Sequence, residues 1–476
     1  MYDVTVIGAG VVGGMLAREL TKYKLSICLI EKENDVACGA SKANSGIVHG
    51  GYDPKPGTLK AKLNAVGVEK LFSAAKELNA PFVRNGSMVC AFGEAEDETV
   101  RELYERGLKN GISELKVISG DEARKIEPNL SDQVTSVLLV ENAGIICPYE
   151  LTIAAVGNAM DNGAVLKTNF CVEKIERTNG GFLVTAGDQR KVETRYLINC
   201  AGAYSDTIAD MAGDGFFHII PRAGEYMLLD KTEGSRVSHT VFQVPSAEGK
   251  GILVTPTVDG NLLTGPTAQA VLTPLDRQTT SSGLDVVRRL AQKSVPGVDF
   301  RRVITSFCGV RASEKDGDFI IKSSDRVKGF INVAAIDSPG LTCCVAIAEY
   351  TVDLLRKLGV QLTENTNFNG SREDPHRFRK MTIEEKDNYI KLHPAYGRIV
   401  CRCEGVSEGE IQDAIHRNPP AHDIDGIKRR TRSGMGRCQG GFCMPYVMRI
   451  LAEENHVSFE SVSKKGKGSE NVWEKI

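Results

Sequence analysis

Six residues near the N-terminus constrain the fold of this chain more than any others. Gly8, Gly10 and Gly13 form G-x-G-x-x-G directly after an apolar run at 2–7 and directly before a segment of helical periodicity at 11–23. A second apolar run, 26–30, ends at Glu31. Strand, glycine turn, helix and strand in this order make a βαβ unit, so the chain opens with a parallel sheet. The glycines permit a tight turn and let backbone approach a pyrophosphate lying on the helix N-terminus. Glu31 is placed to accept hydrogen bonds from a ribose diol, and its charge disfavours a 2′-phosphate and hence NADP. The motif alone does not separate FAD from NAD, and a glycine-tolerant structural turn is the plainer alternative.

Two later turns repeat the theme. Asn199-Cys200-Ala201-Gly202-Ala203 ends an apolar strand at 196–200 in small residues, and Ser338-Pro339-Gly340-Leu341-Thr342 opens a helix at 343–358. Both suit the carboxyl edge of a parallel sheet, where backbone meets ligand. Between the first unit and the rest lies a Gly/Ser/Asn-rich loop, 38–52, too long for a simple connection and therefore a candidate functional loop. Amphipathic helices are expected at 59–78 and 94–109, and a hairpin at 172–177 and 181–186 about Thr-Asn-Gly-Gly. Strand-like pieces dominate 219–264 and recur at 330–335. Residues 361–398 are polar and read as a linker with a short helix, and 456–476 reads as a flexible tail.

Of thirteen cysteines, nine are scattered in mostly apolar surroundings and read as buried free thiols. The other four, Cys401, Cys403, Cys438 and Cys443, have the spacing C-x-C, a gap, then C-x4-C, which looks like a ligand set. Four thiolates complete one [2Fe–2S] centre; structural zinc is the alternative, though its ligands usually pair as C-x2-C or C-x4-C. The basic run Lys428-Arg429-Arg430 with Arg432 and Arg437 is expected to balance the centre's negative charge or to steer an acidic partner. With 59 Lys+Arg against 61 Asp+Glu, the chain lacks the charge of a nucleic-acid binder. No run is long and apolar enough to span a membrane. The N-terminus enters a strand at once, so a cytoplasmic protein is expected, reaching a membrane only through a partner subunit.

Taken together, residues 8–13, Glu31, the loop Asn44-Ser45-Gly46-Ile47-Val48-His49-Gly50-Gly51, Cys200-Ala201-Gly202-Ala203 and residues 338–342 resemble, in order, the D-amino-acid-oxidase-like FAD flavoenzymes over about residues 1–360. Within them the chain is most similar to the bacterial glycerol-3-phosphate dehydrogenases, with the L-2-hydroxyglutarate dehydrogenases close behind. Residues 401–443 resemble the bacterioferritin-associated-ferredoxin-like (BFD-like) [2Fe–2S] domains, which the anaerobic glycerol-3-phosphate dehydrogenases also carry.

The resemblance implies an α/β and α+β architecture. A discontinuous Rossmann-like FAD domain (1–84, 146–212, 306–360) holds a largely antiparallel substrate domain (85–145, 213–305), followed by a small helical module at 399–455. It implies FAD contacts from Gly8, Gly10, Gly13, Glu31, Ser41, Ser45, Gly46, Val172, Ala201, Gly202, Gly340, Leu341 and Thr342. His49 becomes the proton acceptor, its ordinary pKa being near neutrality, and Arg311 the anchor for a small anionic substrate; Tyr52, Lys55, Arg222 and Tyr226 are further substrate-side expectations. Some relatives attach FAD through a cysteine near Cys308; a noncovalent cofactor is expected here. The expected reaction is oxidation of sn-glycerol 3-phosphate by hydride transfer to flavin N5. Electrons would then leave through the cluster to a protein or quinone-linked acceptor, and a partner electron-transfer subunit is expected. A related 2-hydroxy or imino acid is the alternative substrate, and an electron-transfer subunit without a substrate of its own the second alternative.

Overall fold

A computed structural model describes residues 1–245 and 251–472; five residues of the strand-rich stretch and the last four of the tail lie outside these. Five parallel strands form the heart of the first sheet, in the order Val165–Lys167, Ile27–Ile30, Tyr2–Ile7, Lys191–Asn199 and Phe330–Ala334. The hairpin Val172–Thr178 and Gly181–Ala186 adds antiparallel to the Lys191–Asn199 strand, and Ile320–Ser323 closes the other edge. Both faces are buried, as the near-continuous apolar strands require. Helix Val11–Leu20 packs between Pro148–Asp161 and Gly340–Lys357, and Leu59–Glu77 lies on the last of these.

Among the described residues the second sheet has nine strands and is antiparallel except where Thr240–Gln243 runs parallel to Ser87–Ala91. Its longest pairing joins Ile220–Leu229 to Val303–Ser313, so this domain's sheet continues past residue 305 almost to the next strand of the first sheet. Helix Ser281–Ser294 packs on the Ile220–Leu229 and Leu262–Gly265 strands, and Glu94–Lys109 covers Ser87–Ala91, Leu115–Ser119 and Ser136–Val140.

The polar stretch 361–398 is fastened to the first domain rather than free. Glu364 bridges Tyr23, Asn365 N–H donates to Lys22 O (2.7 Å), Arg18 donates to Gly370 O (3.1 Å), and Arg372 Nε reaches Asp161 (2.9 Å). It carries two helices, Arg377–Lys380 and Ile383–Leu392. Hydrogen bonds supply most of its attachment, with a few apolar anchors such as Leu362 and the buried Phe378 and Tyr396, and this explains its linker-like composition. The tail, too, is held: Ser463 O and Lys464 O accept the first amides of helix Ile424–Thr431, from Ile424 (3.2 Å) and Asp425 (2.9 Å). Those N–H groups have no partner inside their own helix.

The C-terminal module has a short two-stranded ribbon, Ile399–Cys401 with Val406–Ser407, and helices Glu408–His416, Ile424–Thr431 and Met444–Asn455 about their own apolar cluster. Arg429, Arg430 and Arg432 of its basic run are buried and do not serve as an open face for an acidic partner; of the run's arginines, Arg437 alone stays exposed. Arg430 grips Asp35 with both terminal nitrogens at 2.8 Å, Arg429 adds a contact at 2.5 Å, and all three are buried. Arg432 reaches Asp259 (2.5 Å), Glu404 (2.9 Å) and the Tyr149 hydroxyl (3.3 Å), while Arg437 pairs with Asp230 (3.0 Å). The arginines join the module to both other domains, because carboxylates of those domains stand where the module packs.

The two guanidiniums hold the Asp35 carboxyl far below the ordinary carboxylate range against the opposing effect of burial. A depressed folded-state pKa contributes stability that is complete above the unfolded value of about 3.9 and is lost as pH falls below it. Asp35→Ala strands two buried arginines and is expected to cost about 3–5 kcal/mol, read as a lower denaturation midpoint at pH 7. The difference from wild type should shrink on acidification below about pH 4.

Candidate functional site

A cavity of about 1330 Å³ runs between the two large domains, well beyond the ~300–1,000 Å³ of an ordinary small-molecule pocket. One end lies over the glycine turn. Gly8 has φ +104°, and a Cβ there would stand 2.4 Å from Cys200 O; one on Gly13 would stand 1.9 Å from Gly8 O. Strand, helix and the Cys200 turn therefore meet at a separation that only glycine allows. Helix Val11–Leu20 has no side-chain cap at Gly10 and lines the cavity with its first residues, while Ser41 Oγ accepts from Val11 N–H at 2.9 Å. A capless helix start facing a cavity is a place for a phosphate. Glu31 is held beside it, Oε2 accepting from Ala9 N–H (2.8 Å) and Oε1 from Glu33 N–H (3.0 Å); burial raises its pKa. A carboxylate offers about four acceptor positions, so a diol can still be bound. Val172, Ala201 and Gly202 complete this wall.

The loop 38–52 crosses to the other end. Ser45 and His49 line the cavity, whereas Gly46 turns beneath it at φ +68°, its carbonyl accepting from Ile146 N–H (2.8 Å). His49 is fixed on three sides. Its N–H donates to Thr342 Oγ1 (2.9 Å), its carbonyl accepts from Asn64 (2.8 Å), and ring Nε2 lies 3.2 Å from Ser338 Oγ. Phe242 of the second domain faces the ring at 5.9 Å between centroids. Gly340 and Leu341 line the cavity at a helix start without a side-chain cap; Thr342, fully buried, acts through His49 instead.

The second domain supplies the remaining wall. Arg222 and Arg311 stand opposite each other in the antiparallel pair, and both line the cavity. Like charges directly opposed on a sheet are destabilising, and among the described residues neither has a carboxylate within ion-pair reach. Tyr226, two positions along the same face from Gly224, lies beside Arg311 and Ser45 and stacks on Phe307 at 4.8 Å; burial raises its pKa and the nearby guanidinium opposes this. Cys308 also lines the cavity as a buried thiol whose pKa burial raises.

Two sequence expectations fall elsewhere. Tyr52 is buried in the apolar cluster under helix Glu94–Lys109, with its hydroxyl pushed well up by burial, and Lys55 is exposed on the outer side of the loop. Neither lines the cavity. Lys60 stands closer to the site, paired with Asp337 at 2.5 Å on the cavity wall. Asp337 and Phe242 were not named from sequence as site residues, and Ser338 was named only as the first residue of the 338–342 turn; Asp337 had a signal as that turn's neighbour.

In the module, the thiols form two pairs. Cys403 and Cys438 lie 3.8 Å apart, and Cys401 and Cys443 are close enough for each thiol to shift the other's pKa. Two sulfurs on one tetrahedral metal at about 2.3 Å stand about 3.8 Å apart, so the Cys403–Cys438 separation suits two thiolates on one metal. The Cys401 pKa is pulled down, first by the Cys443 thiol and then by the amides of Gly434 and Glu404. That of Cys438 is lowered by the amides of Gly440, Phe442 and Gly441, which outweigh burial. Amides aimed at sulfur favour the ligating thiolate.

Comparison with known proteins agrees with this geometry. Residues 3–354 match the FAD dependent oxidoreductase (DAO) family, and residues 399–453 match the BFD-like [2Fe-2S] binding domain. A glycerol 3-phosphate dehydrogenase from Caloramator mitchellensis is 45% identical over 469 residues, 98% of each chain. The FAD-bound L-alpha-glycerophosphate oxidase of Mycoplasma pneumoniae has a TM-score of 0.74 at 32% identity, covering 78% of this chain and 98% of that one. A mitochondrial L-2-hydroxyglutarate dehydrogenase of Nematostella vectensis is 30% identical over 56% of this chain and 62% of its own. The chain belongs to the FAD dependent oxidoreductase family and carries a BFD-like [2Fe–2S] domain behind it.

Gly8→Ala forces a methyl against Cys200 O. The variant is expected to purify without FAD, seen as loss of the visible flavin absorbance relative to protein.

Proposed function

We propose that this chain oxidises sn-glycerol 3-phosphate to dihydroxyacetone phosphate and passes the electrons through its [2Fe–2S] centre to a separate one-electron acceptor. The observation that carries the reading is the facing pair Arg222 and Arg311: two guanidiniums opposed on the cavity wall, with no carboxylate among the described residues in ion-pair reach, are relieved by a bound anion. Bound FAD supplies the hydride acceptor, flavin N5, and the cluster supplies a one-electron exit. The rest is done by this chain's side chains. Arg222 and Arg311 bind the phosphate, Tyr226 holds Arg311 in place, and His49 accepts the hydroxyl proton on its imidazole, oriented by Ser338. Gly8, Gly10, Gly13, Glu31, Ser41, Ser45, Val172, Ala201, Gly202, Gly340 and Leu341 hold FAD at the cavity wall, while Gly46 and Thr342 shape that wall from behind.

The substrate follows from the relative that matches throughout its length, named for glycerol 3-phosphate. The electron exit follows from the contrast with the oxidase, which leaves roughly a fifth of this chain, about the size of the strap and module, unmatched. No helix among the described residues is long and apolar enough to cross a membrane, so a quinone-linked route would need a partner subunit.

Anaerobic titration with glycerol 3-phosphate is expected to bleach the oxidised-flavin band. Bleaching by L-2-hydroxyglutarate alone would move the substrate to a hydroxy acid, and bleaching by neither would leave an electron-transfer subunit. Arg311→Met is expected to raise KM about 10- to 100-fold, the size of a lost charge-assisted hydrogen bond. His49→Asn is expected to lower kcat about 10²- to 10⁴-fold with a smaller change in KM.

A further inference from the structure

The four cysteines are unequally covered. Cys401 and Cys443 are 2% exposed, Cys438 is half-buried and Cys403 lies at the surface, so the centre they hold has a buried edge and an open one. The open edge has an unusual rim. Phe442, between Cys438 and Cys443, is 82% exposed, and Tyr446, one helical turn on, is 53% exposed, with Pro445 exposed between them. Arg402, between Cys401 and Cys403, is exposed and makes no ion pair among the described residues.

The two neighbouring ion pairs are turned the same way. Arg437 is 62% exposed over Asp230 at 14%, and Lys231 stands half-exposed over a buried Glu404. Cations thus face water while their carboxylates lie beneath. Asp230 and Lys231 belong to the second domain, so the rim is complete only with the module docked.

Aromatic and arginine side chains are the enriched components of protein interfaces, and outward charge of one sign steers a partner of the other. We propose that this face is the docking surface of an acidic one-electron carrier protein. Phe442 and Tyr446 form its apolar centre, and Arg402, Arg437 and Lys231 its steering charges. The inference rests on the electron-exit reading and deepens it. Oxidation of one secondary alcohol to a ketone releases two electrons and two protons; two carriers each take one electron, and the protons pass to solvent.

The test uses the full-length holoprotein and two forms of one carrier: basic native cytochrome c and its acidic, lysine-succinylated form. Calorimetric titration is expected to show the acidic form binding about tenfold tighter or more, an advantage that shrinks as the Debye length falls from about 30 to about 10 Å with added salt. Phe442→Ala and Arg402→Glu are each expected to weaken that binding about tenfold while substrate bleaches the flavin at the wild-type rate. Equal affinity for the two cytochromes, or unchanged affinity in both variants, overturns the proposal. So does a dimer that dissociates in Phe442→Ala, which would make a second copy of this chain the occupant. If the acidic form binds as expected while no substrate bleaches the flavin, the docking surface stands and the proposed oxidation fails.

Discussion

The rest of the structure depends on one close approach, the crossing of the first turn under the carbonyl of Cys200. A methyl group on Gly8 would overlap that oxygen, and one on Gly13 would overlap the Gly8 carbonyl. Because no side chain intervenes, strand Tyr2–Ile7 lies between its two parallel neighbours with the helix start directly above its end. That placement leaves uncapped amides facing the cavity, sets Glu31 at the end of the next strand, and starts the long loop toward His49. The second domain then needs only to present Arg222, Tyr226 and Arg311 from one sheet face to close the other wall.

The segment between Glu31 and that loop also anchors the C-terminal module. Three residues separate Glu31 on the cavity wall from Asp35, which is buried between Arg429 and Arg430; Asn34 meets Asp423 in the same contact. A buried ion cluster of this kind is weak as a source of net stability but strict about geometry, since each charge is tolerable only with its partner in place. Arg432 extends the strictness to three units at once, touching Glu404 beside a thiol, Asp259 of the second domain and Tyr149 at the start of helix Pro148–Asp161. A module held this way is fixed against both large domains rather than tethered, and its open edge forms in part from the neighbouring domain.

Features that chemistry ties to residue type and spacing were legible in the sequence. The glycine turn, the acidic residue after the second strand and the cysteine quartet are of this kind, and the helices at 59–78 and 94–109 were marked by period. Helix Pro148–Asp161 was not, because ten of its fourteen residues are buried and an all-round buried helix has no amphipathic stripe. The strap at 361–398 looked like a linker because hydrogen bonds fasten it. The arginine run looked like a charged face, since its partner Asp35 lies nearly 400 positions away and nothing local announces such a pairing. Tyr52 and Lys55, expected on the substrate side, sit beneath and outside the loop.

The central claim is that electrons taken from the substrate at the cavity reach the iron–sulfur centre of the docked module. Anaerobic mixing with sn-glycerol 3-phosphate, followed by freezing at successive times and electron paramagnetic resonance, tests it directly. The account predicts that the signal of a reduced [2Fe–2S] centre grows in as the flavin band is lost, at least as fast as turnover with a one-electron acceptor. A flavin that bleaches fully while the centre stays oxidised, though dithionite can reduce it, would contradict the account and leave the module without a part in electron flow.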